Sequence, residues 1–316
     1  MNKRLYLIAN PMSGSGKGQE VLQEVQFTLN SLNIAHISFI TEYAGHAVEI
    51  VKQICAKNSN PNSFDVFVIG GDGTLHEVVN TFIQCGIRPA LTVIPAGTGN
   101  DFARTWQHGM TTREIIDSYL LYHSIQSIPI FSYTDVQQQK SDIVINNLGI
   151  GFDGTVIHYA KSLPKHSPLK RFANGKFSYI FCAFMSIFKL ENFDTLLTIN
   201  QQQEMLNDCQ LVCVMNSPFF GGGVQLSQKI KPEDKTISIL VFQQVGLKQL
   251  IKYLWQVIVK KQEPNSKYVK YFSGTHAEIM IEQAIYSQVD GELRQKNPNH
   301  LVFTVDEYPF YLPKEV

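Results

Sequence analysis

Residues 64–80 read FDVFVIGGDGTLHEVVN. The opening FDVFVI is an apolar run of strand length. Beyond the glycines, Leu75, Val78, Val79, Phe82 and Ile83 recur at the spacing of one helix face. Strand, glycine turn and helix in direct succession are the front half of a βαβ unit. Gly70, Gly71 and Gly73 allow close backbone approach, and the unpaired N–H groups of a helix start attract phosphate. Asp72 does not suit that picture, because a carboxylate repels polyphosphate unless a cation lies between them. Mg2+ fills that place with one or two carboxylates, phosphate oxygens and water. Asp101, in PAGTGND (95–101), offers a second carboxylate, so the pair predicts a nucleotide–Mg2+ site. Thr74 and Glu77 have the T-x-x-E spacing of a capping box, a structural job in any α/β protein.

The same alternation runs outward on both sides. RLYLIAN (4–10) reads as a buried strand, followed by the loop NPMSGSGKG (10–18) and a helix carrying Val21, Leu22, Val25, Leu29 and Leu32 on one face. A strand near 35–41 and a helix with Ala47, Ile50, Val51 and Ile54 come next. A fourth strand, Leu91–Pro95, runs into AGTGND and a further helix. Such alternation predicts a mostly parallel sheet with helices on both faces, whose ligands bind at the carboxyl ends of the strands. Three loops would then share one rim. NPMSGSGKG is not a Walker A loop, since Lys17 is followed by Gly18 and Pro11 stands at the first glycine position. Nor is it a dinucleotide fingerprint. Asn10 and Ser13–Gly14 can still meet phosphate oxygens at a helix start, with a plain turn as the alternative reading.

After about residue 127 the pattern changes to short β-like runs: DIVINNLGIGF, DTLLTIN, CQLVCVMN, TISILVF, HAEIMIEQA and HLVFTV. Helical stretches are expected near 170–190 and 246–260. The reading is an α/β domain over 1–126 and an antiparallel β-sandwich domain over 127–316. Whether the final EYPFYLP packs back on the first domain stays open. Lys+Arg and Asp+Glu both number 27, so no global basic field draws nucleic acid. Five cysteines without a CxxC pair fit reduced thiols in the cytoplasm. No stretch is long and apolar enough to span a bilayer. The helix GLKQLIKYLWQVIVKK (246–261) could lie on anionic membrane or pack on the core with a solvated lysine face, and the basic stretch 163–176 has the same two readings. An exposed β edge could support a homodimer.

At this point the residues resemble a known family. GGDGTLHEVVN with PAGTGNDFART is similar to the soluble bacterial diacylglycerol kinases, within the lipid kinases that include sphingosine and ceramide kinases. NP-x-SG-x-G at 10–16, NNLGIGFDGTV, MNSPFFGGG and VDGE at 289–292 extend the resemblance along most of the chain in the family's order. It implies an NAD-kinase- and phosphofructokinase-like first domain that binds ATP through Asn10, Pro11, Met12, Ser13, Gly14, Thr41, Gly70, Gly71, Asp72, Gly73, Thr74, Leu75, His76 and Thr98. Unaided, His76 reads as solvent-facing or near the nucleotide. The resemblance also implies lipid entry between the domains at the membrane surface. Asp290 or Glu292, with Asp290 preferred, would be the base that takes the lipid hydroxyl's proton; unaided, Asp290-Gly291 reads as a hairpin turn. The family's structural Mg2+ stretch departs here to LSQKIKPEDKTISI, in which Asp234 with the carbonyls of Lys231 and Thr236 could hold the ion while Lys235 opposes it. The expected activity is transfer of the ATP γ-phosphate to a lipid hydroxyl, diacylglycerol first. Another lipid alcohol, an NAD-kinase-like soluble acceptor and a non-catalytic nucleotide-binding regulator are the alternatives.

Overall fold

A computed structural model describes residues 3–162, 182–220, 222–227, 229–258, 260 and 267–313. They fall into two compact units, one formed by 1–128 with 307–316 and the other by 129–306. The division lies close to the expected boundary, and the terminal segment belongs to the first unit.

In the first unit, strands β1 (Arg4–Ala9), β2 (His36–Ile40), β3 (Phe64–Gly70) and β4 (Leu91–Pro95) pair in parallel in the order β2-β1-β3-β4. Helices α1 (Lys17–Ser31), α2 (His46–Lys57), α3 (Asp72–Gln84), α4 (Asp101–Trp106) and α5 (Thr112–Tyr122) follow the strands. Alternation along β1 explains the layering. Leu5, Leu7 and Ala9 share a core with Val21, Leu22, Val25 and Leu29 of α1 and with Ile115 and Ile116 of α5. Tyr6 and Ile8 are buried on the opposite face, where Tyr6 meets Phe64 and Phe64 meets Phe82 of α3. Leu32, expected on the buried face of α1, is exposed just past its end.

The second unit contains β5 (Ile125–Asp135, which begins in the first), β6 (Lys140–Val144), β7 (Asn147–Gly151), β8 (Phe193–Ile199), β9 (Gln202–Met215), β10 (Phe219–Phe220), β11 (Val224–Gln225) and β12 (Ile237–Gln243). Strands β13 (Val269–Gly274), β14 (His276–Val289) and β15 (Glu292–Tyr311) complete it, and β15 ends in the first unit. Pairing among these strands is antiparallel, and the end of β15 in the first unit pairs in parallel with β4. The long strands β9 and β14 change partners along their length, with β8 at one end and β7 at the other, as strands do at the corner of a sandwich. Val212 and Val214 of β9 enter the sandwich core with Leu148, Phe193, Ile279 and Phe303. The alternate Leu211, Cys213 and Met215 enter a second core under the helices. Those helices are α6 (Phe152–Ser162), which follows β7 directly, and α7 (Leu247–Ile258). The sequence pattern predicts α7 but not α6, because DIVINNLGIGF reads as a β-like run up to the residue where α6 begins and no element is read in the residues after it. Of the helix expected near 170–190, residues 163–181 lie outside the described residues; 182–186 are helical.

Candidate active site

The order β2-β1-β3-β4 reverses direction between β1 and β3, because the chain leaves β1 to one side and then crosses to the other. Parallel sheets open a crevice at such a point, beyond the carboxyl ends of the strands. Backbone hydrogen bonds bring the loops together there. Asn10 N donates to Ile69 O at 2.8 Å, Thr41 N to Ala9 O at 2.8 Å, and Ala96 N to Gly70 O at 2.8 Å. The Asn10 side chain donates to Thr74 Oγ1 at 3.2 Å and accepts from Met12 N at 3.0 Å. Gly14 has φ +58°, and a Cβ there would lie 2.4 Å from Ala96 O. A Cβ on Gly97 would lie 2.6 Å from Gly71 Cα. Three glycine loops therefore interlock, backbone against backbone.

Helix α3 begins at Asp72 with Gly71 as its N-cap, so no side-chain cap forms. The capping box expected from Thr74 and Glu77 is absent: Thr74 instead accepts from Asn10, and Glu77 Oε1 accepts from Gly45 N at 3.2 Å, tying α3 to the start of α2. The T-x-x-E signal was one turn too late. A capping box does form at Thr111 and Glu114, which start α5. His76, read unaided as solvent-facing or near the nucleotide, is buried, as is Leu75; the helix turns them inward. Met12 and Thr98 are exposed, and Pro11, Ser13 and Gly73 are half-buried.

The charge on Asp72 has a partner within the protein. Its Oδ2 accepts from Asp101 N and its Oδ1 from Phe102 N, each at 3.1 Å. The carboxylate of α3 thus sits on the unpaired amides that open α4, where negative charge is favoured. Asn100 completes the joint at φ +52°, accepting from Gly97 N at 2.8 Å and donating to Gly97 O at 2.9 Å. Asp72 and Asp101 are the carboxylates of this rim, and among the described residues no cluster of three His, Cys, Asp or Glu side chains could hold a metal. That donor set fits Mg2+ arriving on a nucleotide, which needs one or two carboxylates, rather than a resident ion.

In the second unit the VDGE stretch is a two-residue hairpin, with Val289 paired to Glu292. Asp290 and Gly291 have φ +47° and +87°, the positive values a type I′ turn demands. The Asp290 carboxylate is buried and accepts from Ile145 N at 2.9 Å, Asn146 N at 2.7 Å and Asn147 N at 3.1 Å. Gln288 braces the same turn, donating to Asn147 Oδ1 at 2.8 Å and accepting from Gly291 N at 2.7 Å. Helix α6 presses on β14, since a Cβ on Gly154 would lie 2.4 Å from the Tyr286 carbonyl carbon. Its Lys161 meets the half-exposed Glu292 at 2.7 Å. NNLGIGFDG and VDGE are therefore one assembly, and Asn146, Asn147, Gln288 and Lys161 belong to it although sequence reasoning gave them no role. At 231–236 the Lys231 carbonyl accepts from Asp234 N at 3.0 Å, and Lys235 has φ +50°.

The chain matches two family models: "Diacylglycerol kinase catalytic domain" over residues 4–131 and "YegS C-terminal NAD kinase beta sandwich-like domain" over 150–308. It is 28% identical over 315 residues to a Bacillus subtilis protein named "Putative lipid kinase YtlR", covering 94% of this chain and 95% of that one. It is 25% identical over 317 residues to a Staphylococcus carnosus "Diacylglycerol kinase", covering 100% and 97%. A solved diacylglycerol kinase structure from Bacillus anthracis superposes with a TM-score of 0.69 at 19% identity, covering 99% of this chain and 97% of that one. The last likeness shows the fold alone.

Proposed function

The chain belongs to the soluble bacterial diacylglycerol kinase family, and from that premise we propose that it transfers the γ-phosphate of ATP to the hydroxyl of a lipid alcohol, diacylglycerol being the acceptor and phosphatidate the product. The observation that carries the nucleotide half is the interlock of three glycine loops at the switch point of a parallel sheet. Asn10 through Gly14, Thr41, Gly70 through His76 and Thr98 border or support that rim. Their backbone amides orient the phosphates, and the close glycine contacts keep the loops in place. Phosphoryl transfer has a loose transition state, so position and charge neutralisation do most of the work. Asp101, with the outer lone pairs of Asp72, would hold Mg2+, which when bound neutralises phosphate charge.

Of the two candidate bases, Asp290 and Glu292, we favour Glu292. Asp290 is buried with both carboxylate oxygens already receiving amide donors. A base needs a lone pair within reach of the hydroxyl proton. Glu292, exposed two residues along at the end of the hairpin, keeps its carboxylate open to an incoming hydroxyl beside Lys161. We assign Glu292 as the base and Asp290 as the residue that positions it.

Labelled ATP and Mg2+ incubated with either diacylglycerol in mixed micelles or NAD tests the reading. Label in phosphatidate is the expected result; label in NADP alone would sink it in favour of the NAD-kinase-like alternative, which the name of the second family model keeps in view.

A further inference from the structure

Helix α7 has two faces with different chemistry. Leu250 and Tyr253 point into the helical core together with Ala183 and Ile187. On the other side Lys248, Ile251, Lys252 and Trp255, at i, i+3, i+4 and i+7, share one outward stripe and are exposed. Ile251 is 38% and Trp255 50% exposed. The helix packs against the 3-10 turn Ile187–Lys189, whose neighbourhood repeats the arrangement: Phe184 is 47%, Met185 48% and Phe188 62% exposed. The Phe184 and Phe188 rings meet edge to face at 5.9 Å. Five large apolar side chains on two adjacent elements of one unit are more than scattered surface hydrophobes.

Within the two segments the charges have one sign, and Glu191, just beyond the first, is paired with Lys296 at 2.6 Å. Lys189, Lys248, Lys252 and Lys260 are exposed, and neither 182–190 nor 247–258 contains an Asp or Glu. Lys260 Nζ lies 4.6 Å from the centre of the Trp255 ring. An amphipathic helix with Trp and Ile on a lysine-rich outer face fits the headgroup boundary of an anionic bilayer, where Trp seats at the interface and lysine ammonium groups reach phosphates. A soluble protein partner of no particular charge would not call for that pattern. We propose that the outward faces of α7 and residues 184–188 are the surface by which this protein docks on anionic phospholipid bilayers, a proposal that rests on the lipid-kinase reading for its purpose and not for its test.

The chain has two tryptophans, Trp106 and Trp255, so a Trp106→Phe background makes Trp255 the sole reporter. Nucleotide-free protein is titrated with phosphatidylglycerol vesicles and, separately, phosphatidylcholine vesicles. The expected result is a blue shift of Trp255 emission and stronger partition onto phosphatidylglycerol. Lys248→Gln and Lys252→Gln should each weaken that partition by about fivefold, and Ile251→Gln with Phe188→Gln by roughly tenfold or more with an unchanged melting temperature. Unshifted emission, or variants that partition like the parent, would overturn the proposal. So would a blue shift that follows protein concentration without vesicles, which would make a second copy of the chain the occupant. The kinase reading fails separately: docking through this face with no phosphate transfer to any lipid alcohol would refute that reading and leave the surface standing. Full activity on dispersed short-chain diacylglycerol with unaltered partition in the variants would do the reverse.

Discussion

At the residue scale, two carboxylates are bonded by backbone amides and one is not, and the difference makes predictions. Glu292 is half-exposed and pairs only with Lys161 among the contacts described above. Glu292→Gln should leave stability within about 0.5 kcal/mol and lower kcat by 10²–10⁴-fold, the range of a lost general base. Asp290→Asn should behave otherwise. An amide presents one acceptor oxygen where three N–H groups converge, and hydrogen bonds to a charged group contribute about 1.5–3 kcal/mol each. The melting temperature should therefore fall with the activity. If Asp290→Asn removes turnover with its melting curve intact, Asp290 is the base after all. Asp72→Asn separates cap from metal ligand in the same way. As the partner of Asp101 N and Phe102 N, Asp72 supports α4 whether or not Mg2+ is present, so the variant should bind metal-free nucleotide less tightly and the Mg2+ complex less tightly still. The same proportional loss for both, by calorimetry, would leave Asp72 the cap alone and refute its metal role. The sequence drew attention to Asp72 through its charge. It could not reveal that the charge is answered by a helix start, because that contact joins residues 29 and 30 positions apart.

At the element scale, the loops carry the site and the glycines hold the loops. Gly97→Ala would place a methyl 2.6 Å from the Gly71 backbone, which cannot yield, and 2.8 Å from Asn100 Oδ1. Separating the two loops should cost about 1–3 kcal/mol and weaken ATP binding, measured by calorimetry, at least as much as the thermal shift; unaltered binding would show that the interlock does not build the rim. Thr111→Ala removes the capping box of α5 and should cost about 1 kcal/mol with activity unchanged. Legibility follows from the range of the forces. Strands β1 to β4 and helices α1 to α3 were readable because their periodicity is local and strong. Helix α6 was hidden because Gly149, Gly151 and Gly154, there for close packing against Asp153, Phe193 and Tyr286, look like breakers when read one residue at a time. The VDGE turn was legible from Asp-Gly alone, but its grip on residues 145–147 joins positions 143 to 145 apart.

At the scale of the whole molecule, the first unit is discontinuous, closed by residues 307–316 after the chain has built the second. Phe310 pairs with Leu91 beside β4, and Tyr311 joins a cluster on Asp65 at the start of β3, far along the strands from the loops. Asp65 is buried and accepts from Tyr119 at 2.7 Å, Tyr311 at 2.9 Å and Lys3 at 3.0 Å. Burial, then the bond to Asp65 and its charge, pushes the Tyr119 hydroxyl well above its ordinary range. Burial is also the first cause raising Tyr311. For Lys3 burial works the other way, but the hydrogen bonds with Tyr311 and Asp65 outweigh it and the ammonium is raised too. Every one of these groups is raised in the folded state, so each contributes stability that is complete below its unfolded pKa and is lost as pH climbs through the folded one. With tyrosine near 10.0 and lysine near 10.5 when unperturbed, the melting temperature should hold from neutral pH to about 10 and decline above it. Tyr311→Phe removes a bond to Asp65 and one from Lys3, lowering stability by about 1.5–3 kcal/mol at pH 8 and flattening the alkaline decline. Melting curves for parent and variant between about pH 8 and 11.5 decide the matter. Parallel alkaline slopes would mean that the returning tail is held by the β pairing and its apolar contacts, and that the cluster on Asp65 is incidental to closing the unit.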